Sequence, residues 1–104
     1  MNMLCLISYD LESATGEEYT ALRDYLKSIG TGGWDAPLKS TFMVITTKSK
    51  DEIHDGIKKV LTNKEGTLRA GTKWMITPIR LADSTGFLSI STVEWWGKAS
   101  ELGF

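Results

Sequence analysis

A chain of 104 residues with twelve Lys and Arg against thirteen Asp and Glu has room for one domain and carries a formal net charge of −1. That balance, with a sequence pI near 5.8, excludes a protein that holds nucleic acid through a generally basic surface and leaves only a local basic patch for that task. Its 41% hydrophobic content fills a modest core and argues against disorder, and no apolar run reaches the ~20 residues of a membrane span.

The start lacks the basic, apolar, small-residue order of a secretory leader. The lone cysteine, Cys5, permits no intramolecular disulfide and suits a reducing cytoplasm. Its position within an apolar run makes it a small core residue rather than a reactive thiol.

Met3–Asp10 is almost wholly apolar and reads as a central strand covered on both faces. Residues 11–16 read as a loop. Thr15-Gly-Glu-Glu18 has the form of a capping box, and the helix behind it presents Leu22, Tyr25, Leu26 and Ile29 on one face. Gly30 is placed to end that helix in a left-handed conformation. Gly30-Thr-Gly-Gly33 follows a helix instead of opening one, so it reads as a stop and a turn, not a phosphate loop.

A short strand is expected near Trp34, then a bend at Asp35-Ala-Pro37, then a longer strand from about Ser40 to Thr47. Alternation puts Phe42 and Val44 on one face of it, Met43 and Ile45 on the other. Pro37 has no N–H to donate and suits a hairpin bend or an edge. Ser49-Lys-Asp-Glu52 is a second capping box, opening a helix that buries Ile53, Ile57, Val60 and Leu61. After a polar loop, Lys73–Leu81 reads as a strand with Trp74 and Ile76 on one side and Met75, Thr77 and Ile79 on the other. Phe87–Val93 reads as a last strand, followed by Trp95-Trp96.

Strand, helix, strand, strand, helix, strand is the α+β order of a ferredoxin-like βαββαβ domain, with a core over residues 3–81, an extension over 82–104 and both helices on one sheet face. Large apolar residues on the opposite face call for cover. A homodimer joined through that face supplies it, with the tail helping across the interface.

Candidate chemistry is sparse. Asp10, at the tip of the first strand, suits a helix cap, a turn or a hard oxygen ligand for a divalent cation. Tyr9 suits strand-end packing or stacking on a base. Ser40 suits a β-turn. Lys39 belongs to a basic stretch with Lys48, Lys50, Lys58, Lys59 and Lys64, interleaved with acids in the manner of a solvated face. Arg80, beside Pro78, is a single candidate for a phosphate contact. His54, the only histidine, reads as a solvated helix residue and excludes a multi-histidine zinc site within the chain. Trp95-Trp96 suit a contact with a protein partner more than a stacking platform.

The stretches "LISYDL", "PLKSTFMVITT" and "KDEIHDGIKKVL" resemble the small CRISPR-associated endoribonuclease family of the spacer-acquisition complex, and more closely its SinR-like relatives. The resemblance runs from about Met3 to Leu81 and leaves the tail uncovered. It implies a ferredoxin-like homodimer in which the aspartate matching Asp10 faces its symmetry mate and the pair holds one Mg²⁺ beside a phosphodiester of RNA or DNA. It also implies a polar role for Ser40 near that metal. Members of the family act as weak nucleases or as non-catalytic DNA-bridging subunits, and the virulence-associated ribonucleases of toxin–antitoxin systems share the fold. Active members carry more basic residues than this chain. The expectation is therefore a Mg²⁺-dependent phosphodiesterase with Asp10 as catalytic and metal residue and Tyr9, Ser40, Lys39 and Arg80 on the nucleic acid. The alternative is a non-catalytic dimeric scaffold that binds nucleic acid or a protein partner through its tail.

Overall fold

A computed structural model describes residues 2–11 and 15–104. The chain runs β1 (Met3–Leu11), α1 (Gly16–Ile29), β2 (Gly33–Leu38), β3 (Thr41–Thr46), α2 (Lys50–Leu61), β4 (Thr72–Pro78), a single 3₁₀ turn (Leu81–Asp83) and α3 (Ile90–Glu101). The four strands form one antiparallel sheet in the order β2-β3-β1-β4, the ferredoxin-like arrangement expected from the order of elements. Of the loop expected at 11–16, Leu11 continues β1 and Gly16 opens α1, while residues 12–14 lie outside the described residues.

Period-two alternation divides the core into two layers. Cys5, Ile7, Tyr9 and Leu11 of β1, with Phe42 and Val44 of β3, face α1 and α2, where they meet Leu22, Leu26, Ile29, Ile53, Ile57 and Leu61. The other face carries Leu4, Met43 and Ile45, which pack against Leu81 and Ala99, with Trp95 and Trp96 beside them. Both faces of β3 are buried from Thr41 to Thr46, which accounts for its unbroken run of large residues.

Local signals act largely as written in the sequence. Ser49 caps α2 in a full capping box: its hydroxyl accepts from the Glu52 N–H, and the Glu52 carboxylate accepts from the Ser49 N–H. Thr15 caps α1 by accepting from the Glu18 N–H at 3.2 Å. The Glu18 carboxylate reaches back to accept from the Thr15 hydroxyl at 3.4 Å and also accepts from the Arg69 guanidinium at 2.7 Å, so it is shared between the cap and a distant partner. Pro37 lies on β2, an edge strand, beside an irregularity between Asp35 and Leu38. Strand β2 runs through the expected bend to Leu38.

Two expectations are corrected. Gly30 ends α1 with φ −80, outside the left-handed region. It is needed for space, since a Cβ there would lie 2.9 Å from the Gly33 carbonyl oxygen, and the positive φ falls instead on Gly33, at 129. The tail holds a helix rather than a fifth strand. Ser89 caps it by accepting from the Thr92 N–H, and Thr92, Trp95, Trp96 and Ala99 recur at helical spacing toward the sheet. The amphipathic spacing of these four residues over eight outweighs the strand propensity of Phe87–Val93.

Helix α3 covers one half of the sheet face left bare by α1 and α2. It lies over Leu4, Met43 and Ile45. The half at the C-terminal end of β1 is uncovered by it, and Asp10 and Met75 there are exposed. No helix among the described residues is long and apolar enough to cross a membrane.

Candidate functional site

The end of β1 is held from two sides. On one side the Tyr9 N–H donates to the Ser40 carbonyl at 3.0 Å, and the Tyr9 hydroxyl donates to the Lys39 carbonyl at 3.3 Å. These bonds pull the two-residue β2–β3 turn, Lys39-Ser40, against the strand tip. On the other side β4 pairs in antiparallel register, setting Ser8 opposite Met75, Tyr9 opposite Trp74 and Asp10 opposite Lys73.

Alternation then sorts the side chains. Tyr9 turns inward, is buried, and packs 6.5 Å from the Tyr19 ring. Burial pushes its hydroxyl above the ordinary phenol range, so it stays protonated and serves as a donor. Asp10 turns to the opposite face and is exposed. Ser8, Asp10, Ser40, Thr41, Lys73 and Met75, with Tyr9 and Trp74, line one shallow cleft of about 360 Å³.

Of the residues singled out in the sequence, Asp10, Tyr9 and Ser40 are thus brought together. Lys39 sits on the adjacent turn and is exposed, contributing its carbonyl to the Tyr9 hydroxyl. Arg80 is not part of this cleft. Pro78 pairs with Cys5, and the Ile79 N–H donates to the Leu4 carbonyl, so Arg80 stands at the opposite end of the sheet, roughly 20 Å away along the strands. The cation at the cleft is Lys73, which stands in the sequence only as the first residue of an expected strand. The signal that finds it is the antiparallel register of β4 on β1, which a scan for charge runs does not use.

The donor set sets the chemistry. The Asp10 carboxylate and the Ser8 and Ser40 hydroxyls are hard oxygens of the kind Mg²⁺ prefers. Among the described residues, however, no three Asp, Glu, His or Cys side chains come together as a metal cluster. One chain therefore offers a single carboxylate at this cleft, beside hydroxyl oxygens and the Lys73 ammonium group.

His54 accepts at Nδ1 from the Trp74 indole N–H at 3.1 Å on the helix side of β4. It is a surface partner of the strand and lines no cleft with Asp10. Beside α3, a second groove of about 570 Å³ is largely apolar, with Leu6, Met43, Phe87 and Trp96 in its wall and Asp83 and Ser84 among its polar lining. The Trp96 indole N–H donates to Met43 Sδ there.

No protein-family profile matches the chain, and neither a curated protein nor a solved structure shows significant similarity to it.

Proposed function

We propose that the protein is a homodimeric, divalent-metal-dependent phosphodiesterase acting on RNA or DNA, related to the small CRISPR-associated endoribonucleases, in which Asp10 anchors Mg²⁺. The observation that carries this reading is the placement of Asp10: an exposed carboxylate on the uncovered half of the sheet face, in one cleft with a cation and hydroxyls. The ferredoxin-like strand order supports it as well.

The roles of the residues follow from their chemistry. Asp10 binds metal, and a second copy related by a two-fold axis at this end of the sheet supplies the other carboxylate. A bound divalent ion would neutralise charge on the scissile phosphate and activate water. Lys73 offers a charge-assisted contact to a phosphate oxygen. Ser8 and Ser40 donate to the same group. Tyr9 positions the site by fixing the Lys39-Ser40 turn against β1. A single buried cysteine is compatible with a cytoplasmic setting.

The test is a Mg²⁺ or Mn²⁺ titration by calorimetry beside Asp10→Asn, with oligonucleotide cleavage measured on both. Binding of about one ion per two chains that disappears in the variant, along with cleavage, is the expected result. Equal cleavage by a folded Asp10→Asn protein would sink the reading.

The second reading is a non-catalytic interaction protein. It is favoured by the exposed Phe87, Ile90 and Val93 beside the apolar groove. It predicts metal-independent oligomer formation or partner binding that survives Asp10→Asn and is lost on Phe87→Ser.

A further inference from the structure

Asp10 and Lys73 are direct cross-strand partners. In that arrangement their Cβ atoms stand about 4.5–5.5 Å apart on one face of the sheet. Both side chains are exposed, and neither takes part in the three ion pairs found among the described residues. A dication at the Asp10 carboxylate would therefore sit within a few ångströms' reach of an ammonium group. Repulsion between them offsets part of the attraction to Asp10, and a two-fold axis that pairs the Asp10 carboxylates pairs the Lys73 ammonium groups as well, so the offset persists in the dimer.

A phosphodiester changes the balance. Its oxygens neutralise Lys73 and offer the metal an additional hard ligand. We propose that Lys73 couples the two ligands of this cleft, so that divalent metal and nucleic acid bind it together and each is held weakly alone. The inference rests on the phosphodiesterase reading for Asp10 and adds an order of events: the site is completed by its substrate rather than loaded beforehand.

Such coupling is reciprocal. Whatever factor the nucleic acid adds to metal affinity, the metal must add to nucleic-acid affinity. That equality gives the experiment. Mn²⁺ binding is measured by calorimetry with and without a short single-stranded 2′-O-methyl RNA, which resists cleavage, and with a DNA of the same sequence. Oligonucleotide binding is followed by fluorescence anisotropy with and without Mn²⁺, at several salt concentrations.

In the unmodified protein each ligand should tighten the other about three- to tenfold, by the same factor in both directions. In Lys73→Gln, Mn²⁺ alone should bind about three- to tenfold more tightly, because the repulsion is gone. Oligonucleotide alone should bind more weakly, with a salt slope lower by about 0.7–0.9, the share of one phosphate contact. The coupling factor should fall toward one. Lys73→Arg keeps the charge and should behave as the unmodified protein.

The opposite signs are diagnostic, since a general loss of structure would weaken both ligands. Unchanged coupling in Lys73→Gln, or weaker Mn²⁺ binding there, overturns the inference and leaves the role of Asp10 standing. Mn²⁺ binding that is unaltered in Asp10→Asn overturns that role instead.

Discussion

The indole N–H of Trp74 donates to Nδ1 of His54 across 3.1 Å, and the two rings lie 5.4 Å apart. The bond joins the beginning of α2 to β4, the strand that brings Lys73 opposite Asp10. It requires a lone pair on Nδ1, which places the proton of a neutral imidazole on Nε2. His54→Ala should cost about 0.5–1.5 kcal/mol by urea denaturation, with the slope against urea unchanged. The Trp74 indole N–H resonance should shift in the same variant. A variant of unaltered stability with an unmoved indole resonance would show that the pair contributes nothing.

Two helical glycines should respond in opposite directions to the same substitution. A Cβ at Gly97 of α3 meets no atom within 4 Å, so Gly97→Ala removes backbone freedom at no steric cost and should stabilise the fold by about 1 kcal/mol. At Gly56 of α2 the Tyr25 ring occupies the space that a Cβ needs. Gly56→Ala must displace that ring and should destabilise the protein by about 1–3 kcal/mol despite the gain in helix propensity. Thermal denaturation of the two variants side by side checks the sign of each.

The second core layer depends on α3. Trp95, Trp96 and Ala99 pack against Leu4, Met43 and Ile45, and removing them would open a continuous apolar surface on the sheet. Truncation after Leu88 should therefore increase binding of a hydrophobic dye and lower the thermal midpoint. Trp96→Ala alone should cost about 2–4 kcal/mol, less than a fully buried tryptophan because Trp96 is partly exposed. A truncated chain that stays monodisperse and melts like the full one would refute the covering role of the helix.

What could be read in the sequence follows the range of the forces involved. Capping residues such as Ser49 and alternating faces such as Phe42 and Val44 against Met43 and Ile45 are local, and each lies where its pattern places it. The tail departs from the expected strand: Phe87–Val93 has the β-branched content of one, while the positions that make it helical, Thr92, Trp95, Trp96 and Ala99, become legible only against a sheet face that needs cover. At the candidate site Asp10 and Tyr9 stand out by strand-end chemistry and Ser40 by the family resemblance, and the three line one cleft. Lys73 and Arg80 could not be ranked by charge alone. They differ only in where the register of β4 carries them, to the Asp10 end or to the far end of β1. Glu18, assigned to a cap, is claimed by Arg69 from 51 residues away, a partner that no local pattern announces.

That ion pair gives α1 a pH dependence. The Arg69 guanidinium donates to the Glu18 carboxylate and holds it below the ordinary carboxyl range, with the cap at Thr15 acting in the same direction. A group whose folded value is depressed stabilises the fold above its unfolded value, about 4.3 for glutamate, and loses that contribution as pH falls through the folded value. The unmodified protein should therefore exceed Glu18→Gln in thermal midpoint near pH 7, and the gap should close as pH drops from about 5 toward 3. Arg69→Gln should show a smaller gap with the same acid limb. Both partners are partly exposed, so added salt should narrow the neutral-pH difference as well. The contribution of Glu52, whose carboxyl is lowered by its bonds to Ser49, is common to all three proteins and cancels in the comparison. A gap that is constant from pH 7 to 3 would mean that Glu18 acts through packing or helix propensity, without its charge.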